Sequence, residues 1–193
     1  MIKTIILDFD GTMADTRDII LKTMRQTIDR MGFAQPDEKQ CIATIGLPLK
    51  ESFMKILGVN AAEGERCTGI YRELFDINNR PDAVPLFDGV AETISQLHAK
   101  GLTVTIASSR GHKSLAGFVE RFQLADYIKI VLGADDVAKA KPDPEPVLET
   151  LRRVGVSANE TLVVGDTPFD IVMGLRAGTR TCGVTYGNEG DEE

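Results

Sequence analysis

The chain has 193 residues, of which 42% are hydrophobic and 26% charged, with a formal net charge of −7. That length suits one sizeable α/β domain, or a domain with a modest insertion, and the acidic balance lacks the basic footprint of a nucleic-acid binder. Cys41, Cys67 and Cys182 are far apart with no CxxC pair, which fits neither a disulfide framework nor a zinc site and suggests a reducing compartment.

The first element is IILDFDGTMADT, residues 5–16. Three large apolar residues read as a buried strand. Side chains on a strand alternate, so Asp8 and Asp10 share one face while Phe9 turns away. Like charges that close raise each other's pKa unless a cation or a shared proton holds them. A structural protein gains little from such a pair, and a metal site gains a great deal. The N-terminus has an acid where a signal peptide still needs apolar residues, and no apolar run approaches the ~20 residues of a membrane span. A soluble cytoplasmic protein is expected.

Residues 14 to about 84 read as helices throughout. Asp15 is expected to cap one that runs to about Met31, Pro48 to Leu57 forms a second, and Ala61 to about Asn78 a third. About 70 helical residues are too many for an ordinary connection. They read as an inserted α-helical cap domain, 14–84, with Ala14-Asp15 and Asp82-Pro85 as linkers. Two helices packed on the sheet itself are the alternative.

From residue 85 strand and helix signals alternate. A helix opened by Asp88 spans Phe87 to Lys100 and stops at Gly101; Leu102 to Ala107 is a strand. Ser114 to Phe122 reads as a helix, Tyr127 to Leu132 as a strand, and Pro144 to Val154 as a helix with proline at its start. Thr161 to Val164 is a strand, Phe169 to Ala177 a helix, and Thr181 to Thr185 a last short strand. The polar run GNEGDEE, 187–193, is expected to fray. This alternation predicts an α/β fold, a doubly wound parallel sheet formed by 1–13 and 85–193. Ligands bind such sheets at the carboxyl ends of the strands, where strand order reverses.

The expected strands end in chemistry. The first ends in DFDGT, residues 8–12, the second in Ser108-Ser109-Arg110, and a third in Gly165-Asp166 with Asp170 following; Lys141 sits in the proline-bracketed AKPDPEP. Each signal is weak alone, and together they are specific. With GDTPFD (165–170) and the loop IGLPLKES (45–52), they make the chain resemble the haloacid dehalogenase-like hydrolase superfamily. Within it, the resemblance is to the phosphoglycolate phosphatase and pyrophosphatase type with a helical cap.

The chemistry asks for the same residue types. Asp8, at the rigid strand end, suits a phosphoryl acceptor that forms an aspartyl-phosphate. Mg²⁺ takes oxygen ligands and keeps waters; Asp8, the Asp10 backbone carbonyl and Asp166 would supply them, as the resemblance also implies. The Asp10 side chain is then free to act as general acid and later as base. Ser108, with N–H groups around Ser109, would bind phosphate oxygens, and Lys141 would hold nucleophile and phosphate together. Asp170 would support the metal or Lys141. Thr12 fixes the turn. Gly46 and Lys50 are candidate substrate contacts, and the roles of Arg110 and His112 stay open.

These expectations define a Mg²⁺-dependent phosphatase for a small phosphorylated metabolite, without nucleic-acid or membrane partners, as a monomer or homodimer. Phosphoglycolate, pyrophosphate and sugar or nucleotide monophosphates stay open as substrates. Asp10 argues against dehalogenation, which needs no acid for an alkoxide leaving group. A sugar phosphomutase shares every core station, but the loop 45–52 lacks an arginine for a second phosphate. A non-catalytic phosphate-binding relative would be signalled by loss of Asp8, Asp10 or Asp166, and all three are present.

Overall fold

The computed structural model of the chain describes residues 1–188. Five parallel strands form one sheet, β1 (Thr4–Leu7), β2 (Thr103–Ala107), β3 (Ile128–Leu132), β4 (Thr161–Gly165) and β5 (Arg180–Gly183), in the order β3-β2-β1-β4-β5. Strand order reverses at β1, so the expected switch point lies between β1 and β4. Helices α5 (Val90–Ala99), α6 (His112–Arg121), α7 (Glu145–Val154) and α8 (Pro168–Arg176) are the crossovers.

Alternation along β1 explains why both faces are covered. Ile5 and Leu7 join a core with Ile94, Leu115 and Phe118, while Ile6 faces a second core of Val147, Leu151, Val163 and Met173. The fold is the doubly wound parallel sheet that the alternating signals predict.

Four helices stand between β1 and α5: α1 (Arg17–Met31), α2 (Glu38–Ile42), α3 (Leu49–Leu57) and α4 (Ala61–Asn78). Both α1 and α3 pack on α4. Asn78 Nδ2 ties α4 to α1 through Thr23 Oγ1 at 3.0 Å and Gln26 Oε1 at 2.7 Å. A Cβ on Gly64 would lie 2.8 Å from Met54 and 3.1 Å from the Lys50 carbonyl, so glycine permits the close approach of α3 and α4. Chain exit and return are paired: Ala14 bridges Leu86, Asp15 N–H donates to Pro85 O at 3.0 Å, and Phe87 N–H donates to Met13 O at 3.0 Å.

That pairing corrects two expected caps. Asp15 does not open α1; Thr16 does, because the Asp15 N–H is tied to Pro85 O. Asp88 does not open α5, because Phe87 is engaged by Met13, and Gly89 at φ +80 makes the turn instead. The short α2 was not anticipated, although Asp37 and Gln40 form its capping box. Helices α6 and α8 start earlier than expected, at His112 and Pro168, and β5 runs from Arg180 to Gly183. The expected fraying of 189–193 lies outside the described residues. Asn188, within the same run, is buried.

Candidate active site

The ends of β1, β2 and β4 are level. Leu7 pairs with Ile106 on one side and Val164 on the other. Just past that register come Asp8, Ser108 and Asp166. Asp8 N–H donates to Val164 O at 2.9 Å and Ser108 N–H to Leu132 O at 3.0 Å, so the sheet still holds both residues where their side chains leave it. Gly11 then turns with φ +85, and a Cβ there would lie 2.1 Å from Asp166 Oδ2. Only glycine lets the loop pass that close to the acid.

Lys141 joins the acids. Its Nζ donates to Asp8 Oδ1 at 2.6 Å and to Asp170 Oδ1 at 2.5 Å. The other oxygen of Asp170 accepts from Thr167 N–H at 3.1 Å and Thr167 Oγ1 at 2.7 Å. Both oxygens of Asp170 are therefore engaged, one by Lys141 and the other by Thr167. Thr12 Oγ1 donates to Asp166 Oδ1 at 3.2 Å, so this threonine does more than make the turn.

Charge in this cluster is unbalanced. Burial raises the Asp8 carboxyl well above the usual range; Lys141 opposes the rise, and Asp170, Asp166 and Asp10 add to it. Burial likewise raises Asp166, against the hydrogen bond from the Asn188 backbone. Burial alone would lower Lys141, but Asp170 and Asp8 override it and hold the ammonium above its ordinary value. Lysine thus stays charged, and the surplus falls on the acids. Asp8, Asp166 and Asp170 offer oxygens within 4.8 Å of one another. An all-oxygen, net-negative, buried donor set fits a hard divalent cation.

Asp8 and Asp10 also line a cavity of about 650 Å³ between the sheet end and the helices of the insertion. Asp10 does not stand free there. Arg110 Nη2 donates to Asp10 Oδ1 at 2.6 Å and Nε to Oδ2 at 3.1 Å, and the guanidinium lies over the Phe75 ring of α4 at 4.5 Å. Ser108 Oγ accepts from Arg110 N–H at 3.4 Å. The Ser109 hydroxyl donates to Gly46 O at 2.6 Å, so the expected anion contact at this residue falls to its backbone N–H alone. Gly46 and Lys50 both reach the wall, and Lys50 Nζ lies 3.7 Å from Glu65 Oε2. His112 pairs with Asp136 at 2.7 Å with its side chain 47% exposed, and it is not in the wall.

The sequence pattern of the haloacid dehalogenase-like hydrolases matches residues 5–184. The chain belongs to that family. This hydrolase is similar to "Probable phosphatase IndB" of Dickeya dadantii, 37% identical over 95% of the chain and 81% of the relative. It is also similar to pyrophosphatase PpaX of Anoxybacillus flavithermus, 31% identical over 99% of the chain and 87% of the relative. A crystal structure from Bacteroides fragilis, assigned to the haloacid dehalogenase-like hydrolases, shares 29% identity. It superposes with a TM-score of 0.92 over 97% of the chain and 89% of its own.

The local sequence leaves the role of Arg110 open and gives no sign of Asn188. Arg110 was visible as the third residue of a strand-end run, but its partner is 100 positions away. Asn188 gave no signal, since it stands in a polar run.

Proposed function

We propose that this phosphatase is Mg²⁺-dependent and hydrolyses a small phosphorylated metabolite through an aspartyl-phosphate on Asp8. The observation that carries this reading is Asp8 itself. It is a buried carboxylate at a rigid strand end, 2.6 Å from Lys141 and facing a cavity.

Asp8, the Asp10 carbonyl and Asp166 would hold the cation, which when bound neutralises phosphate charge and completes the balance of the acidic cluster. Asp8 attacks phosphorus in line, forming a carboxyl–phosphate bond as the ester or anhydride oxygen leaves. Asp10 gives that oxygen its proton, then takes one from the water that cleaves the aspartyl-phosphate. Both of its oxygens are paired with Arg110, so the acid step requires Arg110 to yield one of them. The hydroxyl of Ser108, N–H groups around Ser109 and the ammonium of Lys141 orient the phosphoryl oxygens.

In this reading residues 14–84 act as a cap on a core of 1–13 and 85–193, and the cavity between them sets substrate size and excludes water. The name of the PpaX relative puts pyrophosphate first in the panel of substrates, with phosphoglycolate beside it. No helix among the described residues is long and apolar enough to cross a membrane.

The test is phosphate release from pyrophosphate and a panel of small phosphate esters. Release that needs Mg²⁺, stops with EDTA and is lost in Asp8→Asn supports the reading. A folded, Mg²⁺-supplied chain that releases phosphate from none of them, but interconverts sugar phosphates in the presence of a bisphosphate, would replace it with a mutase.

A further inference from the structure

Asn188 follows β5, outside any helix or strand, yet it is only 3% exposed. Its backbone N–H and its Nδ2 donate to Asp166 Oδ2 at 2.8 and 3.1 Å. Nδ2 also donates to the Asp10 backbone carbonyl at 3.2 Å. One side chain thereby orients two of the three groups that the proposed reading gives to the cation.

The other end of that amide is unsatisfied. Asn188 Oδ1 is buried and accepts no hydrogen bond among the described residues. Such an acceptor is costly to leave unmade, and reversing the amide does not help. Oδ1 would then face Asp10 O and Asp166 Oδ2, setting a side-chain acceptor against two acceptors.

The segment is docked closely. Tyr186 Oη donates to Thr12 O at 3.0 Å, with its ring 4.8 Å from that of Phe87. A Cβ on Gly187 would lie 2.3 Å from Gly11 O and 2.5 Å from Asp166. Glycine at 187 thus brings the backbone against the acids and delivers Asn188 to them.

A donor for Oδ1 follows from the chemistry of hard cations. Mg²⁺ keeps several of its waters. A water on a cation turns its lone pairs to the ion and directs its hydrogens outward, where each needs an acceptor.

We propose that Asn188 is a further residue of the metal site. Oδ1 accepts a hydrogen bond from a water on the bound divalent cation, while Nδ2 and the backbone N–H hold Asp10 O and Asp166 in orientation. The proposal rests on the divalent-cation reading of Asp8 and Asp166 given above. Asn188 acts through the ligands and a water, so it is a positioning residue.

Calorimetric titration of the full chain with Mg²⁺ alone, repeated with Mn²⁺ read by electron spin resonance, tests it without reference to turnover. Asn188→Ala is expected to weaken binding by about 10- to 100-fold with its circular dichroism unchanged. Asn188→Ser, which keeps a small acceptor, should retain more affinity than alanine, and it serves as the second variant if alanine fails to fold. Tyr186→Phe loses only the bond to Thr12 O and should bind Mg²⁺ as wild type does. Equal affinity in wild type and Asn188→Ala overturns the proposal and leaves the cation reading standing. A loss in Tyr186→Phe as large as in Asn188→Ala also overturns it, because docking and not the amide would carry the effect. A wild-type chain that binds neither ion overturns both readings at once.

Discussion

Arg110 holds Asp10 by two parallel hydrogen bonds, 2.6 and 3.1 Å, while lying 4.5 Å above the ring of Phe75 from α4. The side chains are 8% and 13% exposed, so each has little access to water that would replace a lost partner. The pair therefore couples the sheet end to the insertion through one guanidinium.

Arg110→Ala should cost about 3 kcal/mol, because it strands the Asp10 carboxylate. Urea denaturation of Arg110→Ala, Asp10→Ala and the double variant checks this. The double variant should be more stable than the sum of the two losses predicts. Additive losses would show that the two groups are not coupled.

Asp8→Asn should separate stability from activity. Phosphate release is expected to fall by about 10³-fold or more, while the metal-free melting temperature rises by about 2–4 °C, or roughly 1 kcal/mol for a chain of this size. The rise comes from removing one of the buried carboxylates around Lys141, which keeps its bond to Asp170. Calorimetry in EDTA measures it, and a lower melting temperature would contradict the charge imbalance described here.

Ser109→Ala removes the 2.6 Å bond to the Gly46 carbonyl and with it a tie between the β2 end and the loop at 43–48. The expected cost is about 1 kcal/mol. Amide exchange should quicken in that loop, and KM should rise with little change in kcat. Unchanged exchange at 43–48 would mean the bond does not restrain the loop.

Tyr71 gives a pH dependence. Burial raises its phenol above the usual value of 10.0, with Arg110 opposing and Asp10 adding to the rise. A raised folded value means the contribution is complete below the ordinary value and is lost as pH climbs toward the folded one. Wild type should therefore lose more stability than Tyr71→Phe between about pH 9 and about pH 11. Urea midpoints across that interval decide it.

The acids were legible because their signals are local. Alternation put Asp8 and Asp10 on one face, and the Gly-Thr turn placed them at a strand end. Helices α1, α3 and α4 were visible from periodicity, and their ends were less so. Asp15 and Asp88 are good capping residues by type, but backbone pairing at Ala14–Leu86 and Met13–Phe87 holds their neighbours extended, and tertiary contact outweighed local preference. The Arg110–Asp10 pair and the Asn188–Asp10 contact join residues 100 and 178 positions apart. Nothing in either stretch alone encodes the other.

The facing backbones of Ala14 and Leu86 have a consequence for how such a protein can change over time. Both ends of the stretch between them already lie side by side. A shorter, longer or differently folded stretch spliced between the same two residues would meet little extra closure entropy, since that cost grows only slowly with length. Asp8, Ser108 and Asp166 hang from the sheet and would not be displaced. On the proposed reading the fold is a fixed hydrolytic engine with an exchangeable fitting, in which preference for a leaving group can drift while the bond-breaking apparatus is inherited intact.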